Sequence, residues 1–328
     1  MKTSVAWCGW LLWLSASSAS VVAQQSSIDA AQWLKRIQQA AQKLNYSGTF
    51  VQMQYGGQPQ TSRITHVIDG SNRRERLEIL DGAALVVVRT NDQVKTYVPA
   101  TKTIQVENRA VKGGFPALLA DQLSGVAEQY DARKGDLGRV AGLDCQILTL
   151  EPRDQMRYRH KLWADINSGL LLKAQMINEK DEVVEQIAFS QIDIGGTADR
   201  FRAHLTKRDG GRDWRIATPV TSPWRPSDSG WYIESSPPGF NKILEMRRGI
   251  GDVEVGQVVF SDGLASVSVF LEPVRGGVRP HEGLSSQGAV NVYRRRIGDH
   301  LVTVLGEAPP ACVTSIGQAV EFKPVVRQ

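Results

Sequence analysis

Very little in this chain of 328 residues is equipped for covalent or metal chemistry. It has three cysteines, one of them inside the leading apolar run, and no Cys-x-x-Cys or Cys/His cluster, so a structural zinc site has no ligand set. No G-x-S-x-G is present, so there is no nucleophile elbow. His281-Glu282 begins an H-E-x-x-H pattern, but Ser285 stands where the second histidine belongs. Phosphate-binding loops and dinucleotide fingerprints are missing, and the acidic, glycine-bearing stretch 131–138 lacks calcium-loop spacing. His66, His160, His204, His281 and His300 each stand alone. The expectation is a protein that binds and does not catalyse, with no cofactor and no metal.

A large charge of one sign is also missing. The net charge of +5 permits weak attraction to lipid phosphates or an acidic peptide but provides no dense basic face, so no nucleic-acid partner is expected. Long apolar runs are absent as well. The run Val5 to Leu14 falls short of the ~20 residues that span a bilayer. Lys2 precedes it, and Ser15 to Ser20 and Val21-Val22-Ala23 follow as small residues, which reads as an export signal (1–23) cut after Ala23. The alternative is an uncleaved anchor. No cysteine stands at the cut to carry a lipid. Cys145 and Cys312 either pair in an oxidising compartment or remain two separate buried thiols.

What the chain does have is regular. Ala30, Leu34, Ile37, Ala41 and Leu44 form one apolar stripe at helical period, predicting an amphipathic helix over 27–45. The period then changes to two. About ten or eleven short strands follow to residue 193, separated by turns such as Asp69-Gly70, Asp81-Gly82, Asn91-Asp92 and Asn167-Ser168-Gly169, with a short helix expected over 117–123 and a strand over 126–133. This is a mainly β, α+β chain: one long antiparallel meander that must curl or close, covered by the first helix. Residues 201–225 are crowded with Gly and Pro and are expected to link this unit (24–200) to a second (226–328). Trp214, Trp224 and Trp231 lie in or beside that stretch, as a purely flexible linker would not explain. The second unit shows hairpins around Ser261-Asp262-Gly263 and Gly298-Asp299, then a helix opened by Pro309-Pro310.

Candidate binding groups are of two kinds. Phe50, Met53, Val86, Val88, Phe115 and Leu118 could line an apolar cavity under the covering helix, or simply fill a core. Trp224, Trp231, Tyr232 and Phe240, with Arg247 and Arg248 beside them, have the aromatic and guanidinium chemistry of interface anchors. Arg73-Arg74 with Arg76, and Arg294-Arg295-Arg296, suit either acidic ligands or solvated strand faces.

Five segments together resemble a known family: Asn45-Tyr46-Ser47-Gly48-Thr49-Phe50-Val51, the run Arg74 to Gly82, the run Tyr158 to Asp165, Val259-Phe260-Ser261-Asp262-Gly263-Leu264, and Gly306-Glu307-Ala308-Pro309-Pro310. Their order and spacing resemble the RseB/MucB family of periplasmic sigma-E regulators across nearly the whole mature chain. The resemblance implies a large N-terminal domain like the carriers LolA and LolB, a curved antiparallel half-barrel plugged by helices, and a smaller C-terminal domain. It implies a periplasmic partner, the periplasmic domain of a membrane-anchored anti-sigma factor, shielded from site-1 proteolysis until lipopolysaccharide or mislocalised lipoprotein is sensed. The alternative is a periplasmic lipid or lipoprotein carrier. A homo-oligomer stays open.

Overall fold

The computed structural model describes residues 17–108, 115–117, 124–205, 210–211, 213–218, 221–250, 253–274 and 281–323. Helix α1 (Ser17–Lys43) leads into a meander of β1 (Tyr46–Gln54), β2 (Gln60–Asp69), β3 (Asn72–Ile79), β4 (Val86–Thr90), β5 (Gln93–Val98) and β6 (Thr103–Asn108). After α2 (Ser124–Gln129) comes a second meander of β7 (Tyr130–Val140), β8 (Leu143–Pro152), β9 (Arg159–Asp165), β10 (Leu171–Ile177) and β11 (Val183–Ile194). Pairing of β1 with β11 welds the two meanders into one antiparallel sheet. Beyond α3 (Ala198–Leu205), β12 (Arg215–Ala217) adds in parallel to β6 and completes twelve strands. The turn residues behave as their chemistry dictates: Asn91 and Asp181 take left-handed φ values of 51° and 62°.

The sheet curls enough for β7 to approach β11 across the three strands between them, forming a half-barrel. Bulges at Thr49/Phe50 and Lys134/Leu137 supply local bends. Into the inner face α1 lays Ala30, Leu34, Ile37 and Ala40, in one buried cluster with Leu148, Leu150 and Leu162. Burial of each leucine contributes ~1.5–3 kcal/mol. Gly48 allows the tightest approach there. A Cβ at this position would stand 2.5 Å from the Gln191 carbonyl oxygen and 2.8 Å from the Phe189 ring.

The second sheet has seven strands in the order β13 (Thr221–Pro223), β15 (Asn241–Ile250), β16 (Val253–Ser261), β17 (Ser266–Pro273), β20 (His300–Gly306), β19 (Val290–Ile297) and β18 (Gly283–Gln287). Helix α4 (Pro310–Gln318) covers one face, burying Cys312, Val313 and Ile316 against Val258, Val269 and Val304. A two-stranded ribbon, β14 (Trp231–Ile233) with β21 (Val320–Phe322), closes the end of that core.

The expected architecture is present, with local differences. α1 begins at Ser17, so it runs through the expected cut after Ala23, and the buried side chains described on it, Ala30, Leu34, Ile37, Ala40 and Ala41, lie beyond that cut. The strand expected over 126–133 starts as α2, where Ala127, Glu128 and Gln129 are good helix formers. Of the helix expected over 117–123, all but Ala117 lies outside the described residues. The stretch 201–225 is not bare linker: it holds the end of α3 together with β12 and β13. Edge strand β18 is exposed throughout and carries no alternating apolar signal, so its sequence does not announce it.

Candidate partner-binding face and interdomain seam

The second unit docks on the rim of the half-barrel. Strand register places Gln54, Glu185, Met176 and His160 in a row across β1, β11, β10 and β9, on the helix-covered face. Next to this row, in the β8–β9 loop, the Arg157 side chain is fully buried. Its Nε donates to Asp262 Oδ2 at 2.7 Å, its Nη1 to Asp154 Oδ2 at 2.5 Å and its Nη2 to the Pro238 carbonyl at 2.5 Å. The guanidinium also lies 4.7 Å from the centre of the Phe240 ring. Asp262 Oδ1 accepts the backbone N–H groups of Leu264 and Ala265 at 2.9 and 2.8 Å, so one carboxylate both builds its own turn and binds the other domain. Beside it, Asn291 Nδ2 donates to Tyr158 Oη at 2.8 Å and to the Ala308 carbonyl at 2.7 Å. Tyr158, Val184 and Ala289 pack as a small buried cluster across the seam.

Burial dominates the titration of this region. His160, edge-on to Tyr130 at 5.9 Å, is held down to about 4 by burial, with Asp262 opposing, so its imidazole is neutral at physiological pH. Cys145 and Cys312 are free and buried in separate cores; burial pushes the Cys145 thiol up to about 11 and the Cys312 thiol up to about 12, which makes both poor nucleophiles.

The six candidate cavity residues are not brought together. Phe50 and Phe115 meet at 5.4 Å within the inner core, and both contact Phe189. Met53 has the opposite parity on β1 and is 48% exposed. Val86 and Val88 pair with Tyr97 and Lys95, on the outer face where Tyr97 meets Trp214 at 6.3 Å; it is Val87, paired with Leu77, that faces inward. Leu118 lies outside the described residues.

The six candidate anchors divide as well. Trp231 is buried between His300 and Phe322, and Phe240 is buried beneath Arg157, so neither presents a face to a partner. The same aromatic chemistry that makes an interface anchor makes a core filler. Trp224, Tyr232, Arg247 and Arg248 do reach the surface. Trp224 is half-buried over Gly256, its Nε1 donates to Ser229 Oγ at 3.0 Å, and the Arg247 guanidinium lies 5.4 Å from its ring. Arg248 donates to Gln257 Oε1 at 3.2 Å and stands 3.7 Å from Glu107 of the first domain. Tyr232, 38% exposed, sits under Lys323. Sequence inspection missed Arg157 and Asp262 as a pair, since nothing local joins residues so far apart in the chain.

A Cβ on Gly256 would stand 2.4 Å from the Trp224 ring. Gly256→Ala is therefore expected to lift the indole from its seat, costing ~1–3 kcal/mol and increasing its exposure to water. A urea titration followed by tryptophan emission reads both effects.

Among the described residues no helix is long and apolar enough to cross a membrane, and no cluster of three or more His, Cys, Asp or Glu could hold a metal. A helix-plugged half-barrel joined through a buried ion pair to a small antiparallel β domain defines a two-domain, mainly β protein. The chain matches the family models for the MucB/RseB N-terminal domain over residues 29–207 and the MucB/RseB C-terminal domain over residues 225–321, and it belongs to the MucB/RseB family. It is 32% identical to the sigma factor AlgU regulatory protein MucB of Pseudomonas aeruginosa, over 91% of this chain and 92% of that one. Against the sigma-E factor regulatory protein RseB of Haemophilus influenzae the identity is 25%, over 93% and 95%. Among solved structures, MucB in complex with MucA(peri) superposes with a TM-score of 0.68 at 29% identity, covering 90% of this chain and 100% of that one. The Pseudomonas aeruginosa MucA/MucB complex superposes with a TM-score of 0.70 at 28% identity, covering the same shares.

Proposed function

We propose that this chain is a periplasmic negative regulator of a sigma-E-type envelope stress response. Exported and cut after Ala23, it holds the periplasmic domain of an anti-sigma factor and shields it from site-1 cleavage until lipopolysaccharide, another lipid or a mislocalised lipoprotein is sensed. In this reading residues 24–200 form the sensing domain, 201–225 the connection and 226–328 the partner-binding domain. The observation that carries it is the end-to-end likeness to a MucB solved with MucA(peri) bound. Trp224 and Arg247 support it further, because a half-buried indole beside a guanidinium group suits an acidic segment bearing apolar side chains, whereas Arg248 is engaged by Gln257 and by Glu107 of the first domain.

Calorimetric titration with the partner's periplasmic domain tests the reading. Trp224→Ala is expected to cost about 2 kcal/mol, or roughly 30-fold in Kd, and Arg247→Ala roughly tenfold. In the same mixtures the mature wild-type chain should slow cleavage of the partner by the site-1 protease. Unchanged cleavage at saturating protein would sink the proposal.

A further inference from the structure

Sheet edges in this chain are blunted, with one exception among the described strands. At the ends of the large sheet, β12 has three residues, and β7 bulges at Lys134/Leu137 and carries Arg133, Lys134, Asp136 and Arg139. In the smaller sheet β13 has three residues and ends on Pro223, and both strands of the β14–β21 ribbon have three residues. Short length, bulges, charge and proline are the usual means of keeping an edge from pairing with another chain. β18, at the other end of the smaller sheet, has none of these. Its five residues, Gly283-Leu284-Ser285-Ser286-Gln287, carry no charge and no proline, pair with β19 without a shift and are all exposed. The edge is also continuous with an apolar patch. At Gly288, where β18 turns into β19, a Cβ would stand 2.8 Å from the Gln54 side chain, so this turn abuts the end of β1. Beside Gln54 lie Tyr55, 67% exposed, whose N–H donates to the Val184 carbonyl, and the exposed Met53 and Val183. Neighbouring exposed apolar side chains of this kind mark interaction sites.

We infer that β18 is the edge at which two copies of this chain join, by antiparallel pairing about a two-fold axis, with the Tyr55 patches flanking the joint. Symmetry and charge select the second copy as the occupant. A two-fold axis perpendicular to the sheet keeps every side chain on its own face, so the residue on the axis pairs with its own counterpart. With Ser285 on the axis, Leu284 lies opposite the second copy's Ser286 and diagonal to its Leu284, and no like charges meet. Leu284, 45% exposed, already stands beside Tyr293 of β19, so the two leucines continue an apolar strip across the joint. A strand without charge offers an acidic or basic peptide nothing to select, yet accepts its own copy without repulsion. The ladder alone is short for a stable dimer. The Tyr55 patch of each copy, at the C-terminal end of its β18, adds apolar area at each end of the ladder and brings the joint into the small, concentration-dependent class.

Sedimentation equilibrium of the full mature chain tests this joint. Wild type is expected to dimerise with a Kd on the order of 100 μM. Leu284→Lys, which sets two ammonium groups near each other across the axis, should raise Kd at least about tenfold, and Tyr55→Ser about threefold, whereas the exposed control Ile243→Ser on β15, remote from β18 in the same sheet, should leave it unchanged. Cysteine cross-linking reads the register. Ser285→Cys should oxidise to a linked dimer at least about tenfold faster than Leu284→Cys or Gln287→Cys, because only the residue on the axis meets its own counterpart. Cys145 and Cys312 are buried and take no part. A wild type still monomeric at about 1 mM overturns the inference. So does a Leu284→Lys variant that dimerises like wild type, or equal cross-linking at 284, 285 and 287. Protection of the β18 amides from hydrogen exchange that appears only on adding the anti-sigma partner's periplasmic domain would assign the edge to that partner and overturn it too. The other measurements contain no partner, so their failure leaves the proposed function standing.

Discussion

Arg157→Met is expected to destabilise the mature chain by about 3–5 kcal/mol and to split its thermal unfolding into two transitions. The guanidinium is fully buried and neutralises two carboxylates, one from each domain. Methionine fills a similar volume but leaves Asp262, itself without exposure, as an uncompensated charge. At ~2–4 °C per kcal/mol for domains of this size, the main transition should fall by about 6–20 °C. Arg157→Lys should not restore it, because an ammonium group cannot reach Asp262, Asp154 and the Pro238 carbonyl along three fixed donor directions. Asp262→Asn keeps an oxygen for the Leu264 and Ala265 amides while removing the charge. The double variant Arg157→Met/Asp262→Asn is thus expected to be more stable than the sum of the two single losses predicts, by ~1–3 kcal/mol in differential scanning calorimetry. Strict additivity, or a single unchanged transition in Arg157→Met, would show that the seam is held elsewhere.

How much of this was legible beforehand follows the range of each interaction. The α1 stripe and the hairpins are local patterns, written in the spacing of Leu34 and Ile37 and in turns such as Asp69-Gly70, and they appear as read. Parity within a strand depends on register, and register depends on partners far away. Val86, Val87 and Val88 are indistinguishable by type, yet only the pairing of Val87 with Leu77 decides which of them shares the inner side of the sheet. Partner-surface aromatics posed the same difficulty in another form. Trp224 and Trp231 look alike in the sequence, and the ribbon that encloses Trp231 is made only when Phe322 arrives from the end of the chain. The ion pair of Arg157 with Asp262 joins residues more than a hundred positions apart, and no period or motif announces such a pair. In the sequence, Ser261-Asp262-Gly263 reads as a hairpin turn, which it is; the second use of Asp262 exists only in three dimensions.

Phe50→Ala should cost ~3–5 kcal/mol, the other large effect expected for this chain. Its ring lies 5.4 Å from Phe115 and 5.8 Å from Phe189, and those two rings are 5.0 Å apart, so the three fill the inner face where an apolar ligand would have to lodge. The wall behind them cannot collapse into the gap: Gly48 already brings β1 against the Gln191 backbone, and Phe189 occupies the space that a side chain at Gly48 would need. The loss should appear as a lower urea midpoint at unchanged slope, because the area exposed on unfolding hardly changes. Partner affinity should stay within about twofold of wild type if Trp224 and Arg247 carry the contact, since neither touches this cluster. The same variant discriminates between a packed core and a ligand chamber. If acyl chains enter this face, they must displace the Phe50 ring in the wild type, and removing it spares them that displacement. Short-chain fatty acid should then bind Phe50→Ala at least about tenfold more tightly than wild type and raise its urea midpoint more. Equal affinity for both proteins would place acyl binding away from the three phenylalanines and leave them as the packed interior of the half-barrel.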